Sequence, residues 1–392
     1  MTKTRVAQVR TAVVLTAMLF GYTAAPNAVA VTAPPGPVTL HIATFDSGFG
    51  GYLTAKSIER ATTPLLRDYK ARFTIRHYGD TRNLPYGEKT PQQIATLASG
   101  GVLKAFQEGA DIVFIACNTA STQYARVREA VDAAYPGAHR PVISIIDVSV
   151  AEAKLRLDTL LKNSKNATLL ILATPATVRS MVYPRGLAAL YGVRLDEQPL
   201  RATPQPRWYR TLGSSVDSLV QRNSIGLPGG SRIAVYQFAP ANWVELIEHG
   251  ADLKVRHDVV NRDLGLLLSS LEPGDFPDVV GYFCTHYPIL DNLIRARLAP
   301  HQPSYIAQGE LMARVFASMA EARLQGHERD TAPGVAELAN LQALARASIT
   351  ISGRNGETTR ALARMLYPDD PEPQIMQEDL GDLGAVPAPV AQ

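Results

Sequence analysis

The chain has 392 residues, 46% of them hydrophobic and 19% charged, with a formal charge of +3 and two cysteines. That length can bury the cores of two medium-sized domains. Lys3, Arg5 and Arg10 are basic and the first thirty residues hold no acid, so the remainder is near neutral, which argues against nucleic acid or an anionic membrane surface as a partner.

Residues 1–30 have the layout of a secretory signal peptide: the basic start, an apolar stretch from about Ala12 to Phe20, and Ala28-Val-Ala30 as a small-x-small cleavage site. The expectation is export, periplasmic or secreted. The apolar stretch is shorter than the ~20 residues of a membrane span, so an uncleaved anchor is the less favoured alternative and no stable membrane insertion is expected after cleavage. Residues 31–37 read as a Pro-rich linker. Val38–Phe45 reads as a first strand, the glycine loop Asp46-Ser-Gly-Phe-Gly-Gly51 follows, and then a helix around Leu53–Glu59. Phe73–Tyr78 is a strand leading into the loop 79–87, and Pro91–Gln107 has helical periodicity. An apolar run from Asp111 ends on Cys117, Tyr124–Ala134 reads as a helix, Pro141–Ile146 as a strand and Ala151–Leu161 as a helix. Leu169–Ala173 is a strand, and Thr177–Tyr183 opens a helix.

Prolines and glycines break this rhythm at about 185–230, which reads as an insertion with a short helix near Val216–Gln221. Ile233–Tyr236 resumes as a strand and Trp243–His249 as a helix. A second apolar run, from Asp278, ends on Cys284. After it come a helix at Ile289–Leu298, a strand at Ser304–Ala307, a helix at Glu310–Ala320, a strand at Ile349–Ser352 and a helix at Glu357–Leu366. The Pro- and acid-rich residues 367–392 read as a disordered tail. Alternating strands and helices predict an α/β fold: two doubly wound parallel-sheet domains with the active site in the cleft between them. The first domain would take 38–146 plus about 300–366, and the second 147–299.

The two cysteines stand in matching contexts, Cys117-Asn118-Thr119 and Cys284-Thr285-His286, each at the end of an apolar run. Chemistry in open α/β sheets gathers at carboxyl strand ends. Two thiols delivered there from two halves of a chain can face one carbon from opposite sides, which is what a racemase or epimerase needs. In an exported chain two cysteines also suggest a disulfide. Metal binding finds no ligand spacing here, and the Gly-x-Ser-x-Gly elbow of serine hydrolases is absent.

The ordered set Asp46-Ser-Gly-Phe-Gly-Gly51, Pro85-Tyr-Gly87, Ala116-Cys-Asn-Thr-Ala-Ser121, Ala173-Thr-Pro-Ala-Thr177 and Cys284-Thr-His-Tyr-Pro288 resembles the glutamate racemases of the aspartate/glutamate racemase superfamily. A weaker echo runs through Pro240-Ala-Asn-Trp-Val-Glu-Leu-Ile-Glu-His-Gly250. The resemblance implies a cofactor-independent isomerase interconverting L- and D-glutamate, with no metal and often a homodimer. By the same resemblance Cys117 and Cys284 are the two catalytic bases, assisted by Asp46 and His286. Asp46, Ser47, Tyr86, Gly87, Asn118, Thr119, Thr177, Thr285 and His286 are the substrate-binding positions. Asp147 stands where the family has a glutamate, so any hydrogen bond it makes toward the second thiol must be re-spaced. Two other readings compete: a superfamily member with shifted specificity, such as aspartate, and an exported amino-acid-binding module without catalysis.

Overall fold

The structure, a computed structural model, describes residues 38–203, 217–325, 333–353 and 356–377. The expected leader and linker lie outside these, as do most of the insertion's Pro-rich part and the end of the tail. The described chain has an α/β fold with two sheets. In the first, β1 (Val38–Asp46), β2 (Ala71–Gly79), β3 (Ile112–Ile115), β4 (Val142–Ser144), β12 (Ala347–Ile351) and β13 (Ile375–Gln377) are all parallel, in the order β13-β12-β2-β1-β3-β4. In the second, β11 (Ser304–Ile306), β10 (Val279–Phe283), β5 (Asn166–Ala173) and β9 (Arg232–Ala239) are parallel neighbours in that order. The strands leading to the two cysteines are buried at every position, β3 as Ile-Val-Phe-Ile and β10 as Val-Val-Gly-Tyr-Phe. Continuous apolar runs of this kind belong to sheets covered on both faces.

Several expectations are corrected. Of the helix expected near Val216–Gln221, the described residues are strand: β8 (Ser218–Gly226) pairs antiparallel with β9 and carries the short strands β6 (Leu195–Glu197) and β7 (Arg201–Thr203). Its burial alternates with period two, which is the strand repeat. The second sheet is therefore mixed, with its antiparallel part on one side of β9. Ile145 and Ile146 open a helix, Ile145–Leu161, because the Ser144 hydroxyl caps it by accepting from the Ile146 N–H at 3.2 Å. The strand at Ser304–Ile306 stays in the second sheet. The chain returns to the first through the helix Gln308–Leu324, which packs on the helix Gly51–Asp68. Residues 367–377, expected in a disordered tail, end in β13 beside β12. The helices Asn118–Ser121, Leu253–Ser269 and Val335–Leu344 had not been expected, and the helix Val182–Tyr191 runs into the stretch read as an insertion.

Candidate active site

Both sheets present their carboxyl strand ends to one cleft. Asp46 and Ser47 reach it from the end of β1, Cys117, Asn118 and Thr119 from β3, Thr174 and Pro175 from β5, and Cys284, Thr285 and His286 from β10; Tyr86, Gly87, Glu88 and Glu245 are also among the lining residues. Hydrogen bonds join the two halves here. Thr285 donates to Asp46 Oδ2 at 2.9 Å, the Phe49 N–H donates to Glu248 Oε1 at 2.8 Å, and the Thr119 and Thr174 hydroxyls meet at 2.7 Å. The cleft holds about 30 Å³ of room for solvent, space for a water or two.

The glycine loop makes the approach close. A Cβ on Gly48 would strike the Glu248 carboxylate, and one on Gly50 would strike the Thr285 hydroxyl and come within 2.8 Å of His286 Nδ1. The side chains of the second half therefore rest directly on the backbone of the first.

Both cysteines are free and buried, so the disulfide expectation is set aside. The Cys117 thiol donates to Ser47 Oγ at 3.7 Å, and Ser47 donates on to Asp46 Oδ1 at 3.3 Å. The Ala120 N–H points at the sulfur at 3.4 Å. Burial, then the Asp46 charge, push the thiol far above its ordinary range despite these donors. Asp46 is also pushed up by burial, against the pull of His286, Thr285 and the Gly48 N–H.

Cys284 has a different neighbour. His286 Nδ1 lies 3.8 Å from its sulfur, and His286 Nε2 lies 2.6 Å from Glu248 Oε1. Burial opposes a charged imidazole, but the hydrogen bonds to Cys284 and Glu248 and the Glu248 charge outweigh it, so His286 titrates well above its ordinary value. Glu248, although buried, is pulled down, chiefly by the bond and charge of His286. The carboxylate bonded to the histidine beside this thiol is Glu248; Asp147 stands in the first turn of the helix Ile145–Leu161.

The remaining predicted residues hold varied places. The Tyr86 hydroxyl donates to Asp80 Oδ2 at 2.7 Å, so Tyr86 lines the cleft with its ring while its hydroxyl is engaged elsewhere. Gly87 lies against Thr174, where a Cβ would come within 3.0 Å. The Asn118 side chain is gripped by Gln308 at 2.8 and 2.9 Å and by the Tyr183 hydroxyl. Thr177 is fully buried and does not line the cleft; its hydroxyl bonds Thr174 at 3.0 Å and Thr119 at 3.3 Å, and Thr174 takes the lining position. Sequence reasoning missed Thr174, Glu245, Glu248, Gln308 and Tyr183. For Glu245 and Glu248 a signal existed, in the echo over 240–250.

The fold is α/β with two thiol-bearing strand ends at one cleft, and comparison with known proteins points to one class. Residues 52–206 match the family described as Asp/Glu/Hydantoin racemase, a span that includes Cys117 and stops short of Cys284. The glutamate racemase of Campylobacter jejuni is 35% identical over 150 residues, 38% of this chain and 52% of that protein. The chain spans about half the length of the first curated relatives it matches. Among solved structures, a glutamate racemase isoform from Bacillus anthracis superposes with TM-score 0.57 at 18% identity, covering 87% of this chain and 98% of that one. The glutamate racemase of Francisella tularensis in complex with D-glutamate does so with TM-score 0.55 at 19% identity, covering 86% and 96%. Over residues 52–206 the chain is similar to the Asp/Glu/Hydantoin racemase family, and the relatives and solved structures named above are glutamate racemases.

Proposed function

We propose that the protein is a cofactor-independent racemase interconverting L- and D-glutamate by two-base α-proton transfer between Cys117 and Cys284. The observation that carries this reading is that the two thiols enter one cleft from two different sheets, each with its own proton partners. In the resting site Cys117 holds its proton. Burial and Asp46 both favour the neutral thiol, so Cys117 is the donor to one face of the α-carbon. Cys284 is the acceptor on the other face, with the His286–Glu248 pair beside it to take up and return charge. One turnover leaves the two sulfurs with exchanged protonation, and turnover of the opposite enantiomer resets them.

The α-proton is weakly acidic, so the developing carbanion needs donors already in place. Thr119, Thr285 and the amides after Cys117 supply them. Asp46, linked to Thr285 and the Gly48 N–H, is the partner for the substrate ammonium. Asn118 cannot swing freely, since Gln308 and Tyr183 hold its side chain, so it acts from a fixed orientation. Homodimerisation and export through the leader-like residues 1–30 are part of the proposal; gel filtration and fractionation of cells making the full chain test them.

The central test follows α-proton exchange of L- and D-glutamate in deuterated water by NMR, with reduced protein and the variants Cys117→Ala and Cys284→Ala. Exchange of both enantiomers by the parent protein, with racemisation lost in each variant, is expected. No exchange by folded, reduced protein sinks glutamate as the substrate, and a panel including aspartate then follows.

A further inference from the structure

The cleft is unusually acidic for a site that would bind a dicarboxylate. Asp46, Glu88 and Glu245 line it, and His286 is the basic side chain among its described lining residues. His286 is already committed to Glu248 at 2.6 Å. Asp46 has the substrate ammonium to complement. Glu245 has no such assignment. It is 8% exposed, sits in the first turn of the helix Trp243–Glu248, and lines the cleft with Val244 and Ala241 on its own side.

The charges facing Glu245 come from several elements. Glu88 faces it from the turn Tyr86–Glu88, and His286 and Tyr287 face it from the segment after β10; Glu248 lies on its own helix. Tyr287 is neutral, its hydroxyl directed to the Ala173 carbonyl at 3.2 Å. Asp263, from the helix Leu253–Ser269, takes the Trp243 indole N–H at 2.9 Å at the start of the same short helix. Apart from the engaged His286, every charged group in this set is an acid. A second ionised carboxylate brought into this space would meet repulsion without a cation to offset it.

We propose that Glu245 is a specificity-determining residue that receives the distal carboxylate of a dicarboxylic amino acid only as the neutral acid, donating its proton across a carboxyl–carboxylate hydrogen bond. The substrate class rests on the racemase reading above. The consequence is discrimination by distal charge: an ionised Glu245 rejects glutamate and tolerates a neutral amide such as glutamine. Two carboxyls that share one proton are a stable arrangement at close range, whereas two carboxylates are not. Burial first, and Glu88 after it, push Glu245 up to about 7, against its own backbone N–H and His286, so the neutral form is available near neutrality.

Sign and size follow from linkage. Glutamate binding favours the protonated form, so affinity is highest in acid and falls as pH rises past 7, by up to about tenfold per pH unit. The test is calorimetric titration of the full chain with racemic glutamate, a mixture that catalysis leaves unchanged. It is run at about pH 5.5 and about pH 8.5, in two buffers of different ionisation enthalpy, with Glu245→Gln in parallel. The parent protein is expected to bind at least about tenfold more weakly at the higher pH and to take up close to one proton there. Glu245→Gln is expected to show neither effect. Buffer-derived proton uptake in the parent alone keeps the proposal testable if the variant does not fold. Equal pH dependence in both proteins, or no proton uptake by the parent, overturns the proposal and leaves the racemase reading standing. Glutamate failing to bind at either pH while glutamine binds overturns glutamate as substrate, and this proposal with it.

Discussion

The two thiols end similar strands, yet the groups around them are set to opposite charge states. Around Cys117 burial wins: the thiol and Asp46 are both pushed toward their neutral forms, and the contacts are a weak chain of S–H to Ser47 to Asp46. Around Cys284 pairing wins: His286 and Glu248 are as deeply buried, but each holds the other in its charged form. The lesson is that burial alone does not decide a proton's place. A partner at 2.6 Å reverses it. The proposed two-base reaction needs one acid and one base, and the surroundings of the two thiols differ in the sense that the proposal requires.

The largest expected break in that contrast is His286→Asn, which removes the proton partner of Cys284 and keeps a polar side chain. Racemisation should fall roughly 10²–10⁴-fold, the usual scale of a lost acid–base group. Glu248→Gln should cost less, about 10- to 100-fold, because the histidine stays but loses the charge that holds its proton. Its diagnostic is the pH profile of kcat. The limb belonging to His286 should move to lower pH, since the partner raising its pKa is gone. A Glu248→Gln profile superimposable on the parent's would show that the pair does not set the proton's place.

Two buried histidines sharpen the comparison. His77 donates from Nε2 to the Gly48 carbonyl at 2.9 Å and accepts at Nδ1 from Thr44 at 2.9 Å, under the same loop that His286 touches from above. No carboxylate bonds it, and burial drops it to about 4. Neutral in the fold, it is protonated more readily in the unfolded chain. Its contribution is therefore complete above about pH 6.5 and is lost as pH falls through the folded value near 4, a swing of roughly 3 kcal/mol. His77→Gln should lower stability at pH 7 and flatten the acid side of the stability curve, measured by urea unfolding between about pH 4 and pH 7. An unchanged acid slope would mean that His77 is charged in the fold.

What could be read from the sequence was what lies within a few residues of a strand end. Asp46-Ser-Gly-Phe-Gly-Gly51, Cys117-Asn118-Thr119 and Cys284-Thr285-His286 are local signals, because the backbone that delivers each side chain is adjacent to it. The partners of Glu248 and Gln308 were out of reach for the opposite reason, although the echo over 240–250 marked the segment that holds Glu248. Glu248 meets a histidine 38 residues later and Gln308 an asparagine 190 residues earlier, pairings that no local pattern encodes. The sequence pointed to Asp147 by its position, while the carboxylate bonded to His286 is Glu248, a pairing that the fold makes. The helix expected at Val216–Gln221 failed on period: Leu219, Gln221 and Asn223 are buried in alternation, as the strand pairing with β9 requires.

The smallest expected effect is also the one that tests the logic of the pair. Ser47→Ala removes a hydroxyl at 3.7 Å from the Cys117 sulfur, a long and weak hydrogen bond worth about 0.5–1.5 kcal/mol, so activity should fall only about 2- to 10-fold. The fall cannot be one-sided. L- and D-glutamate have equal free energy in water, so kcat/KM in the two directions must remain equal in any variant. The asymmetry must appear elsewhere, in the deuterium isotope effect on each direction with α-deuterated substrate. Ser47→Ala weakens only the Cys117 side. It should raise the isotope effect for the enantiomer whose α-proton Cys117 removes and lower it for the other, where the slowed step follows abstraction. His286→Asn should do the reverse. Equal changes in both directions from either variant would mean that the two sulfurs share one proton pool, and the contrast between their surroundings would then have no part in the reaction.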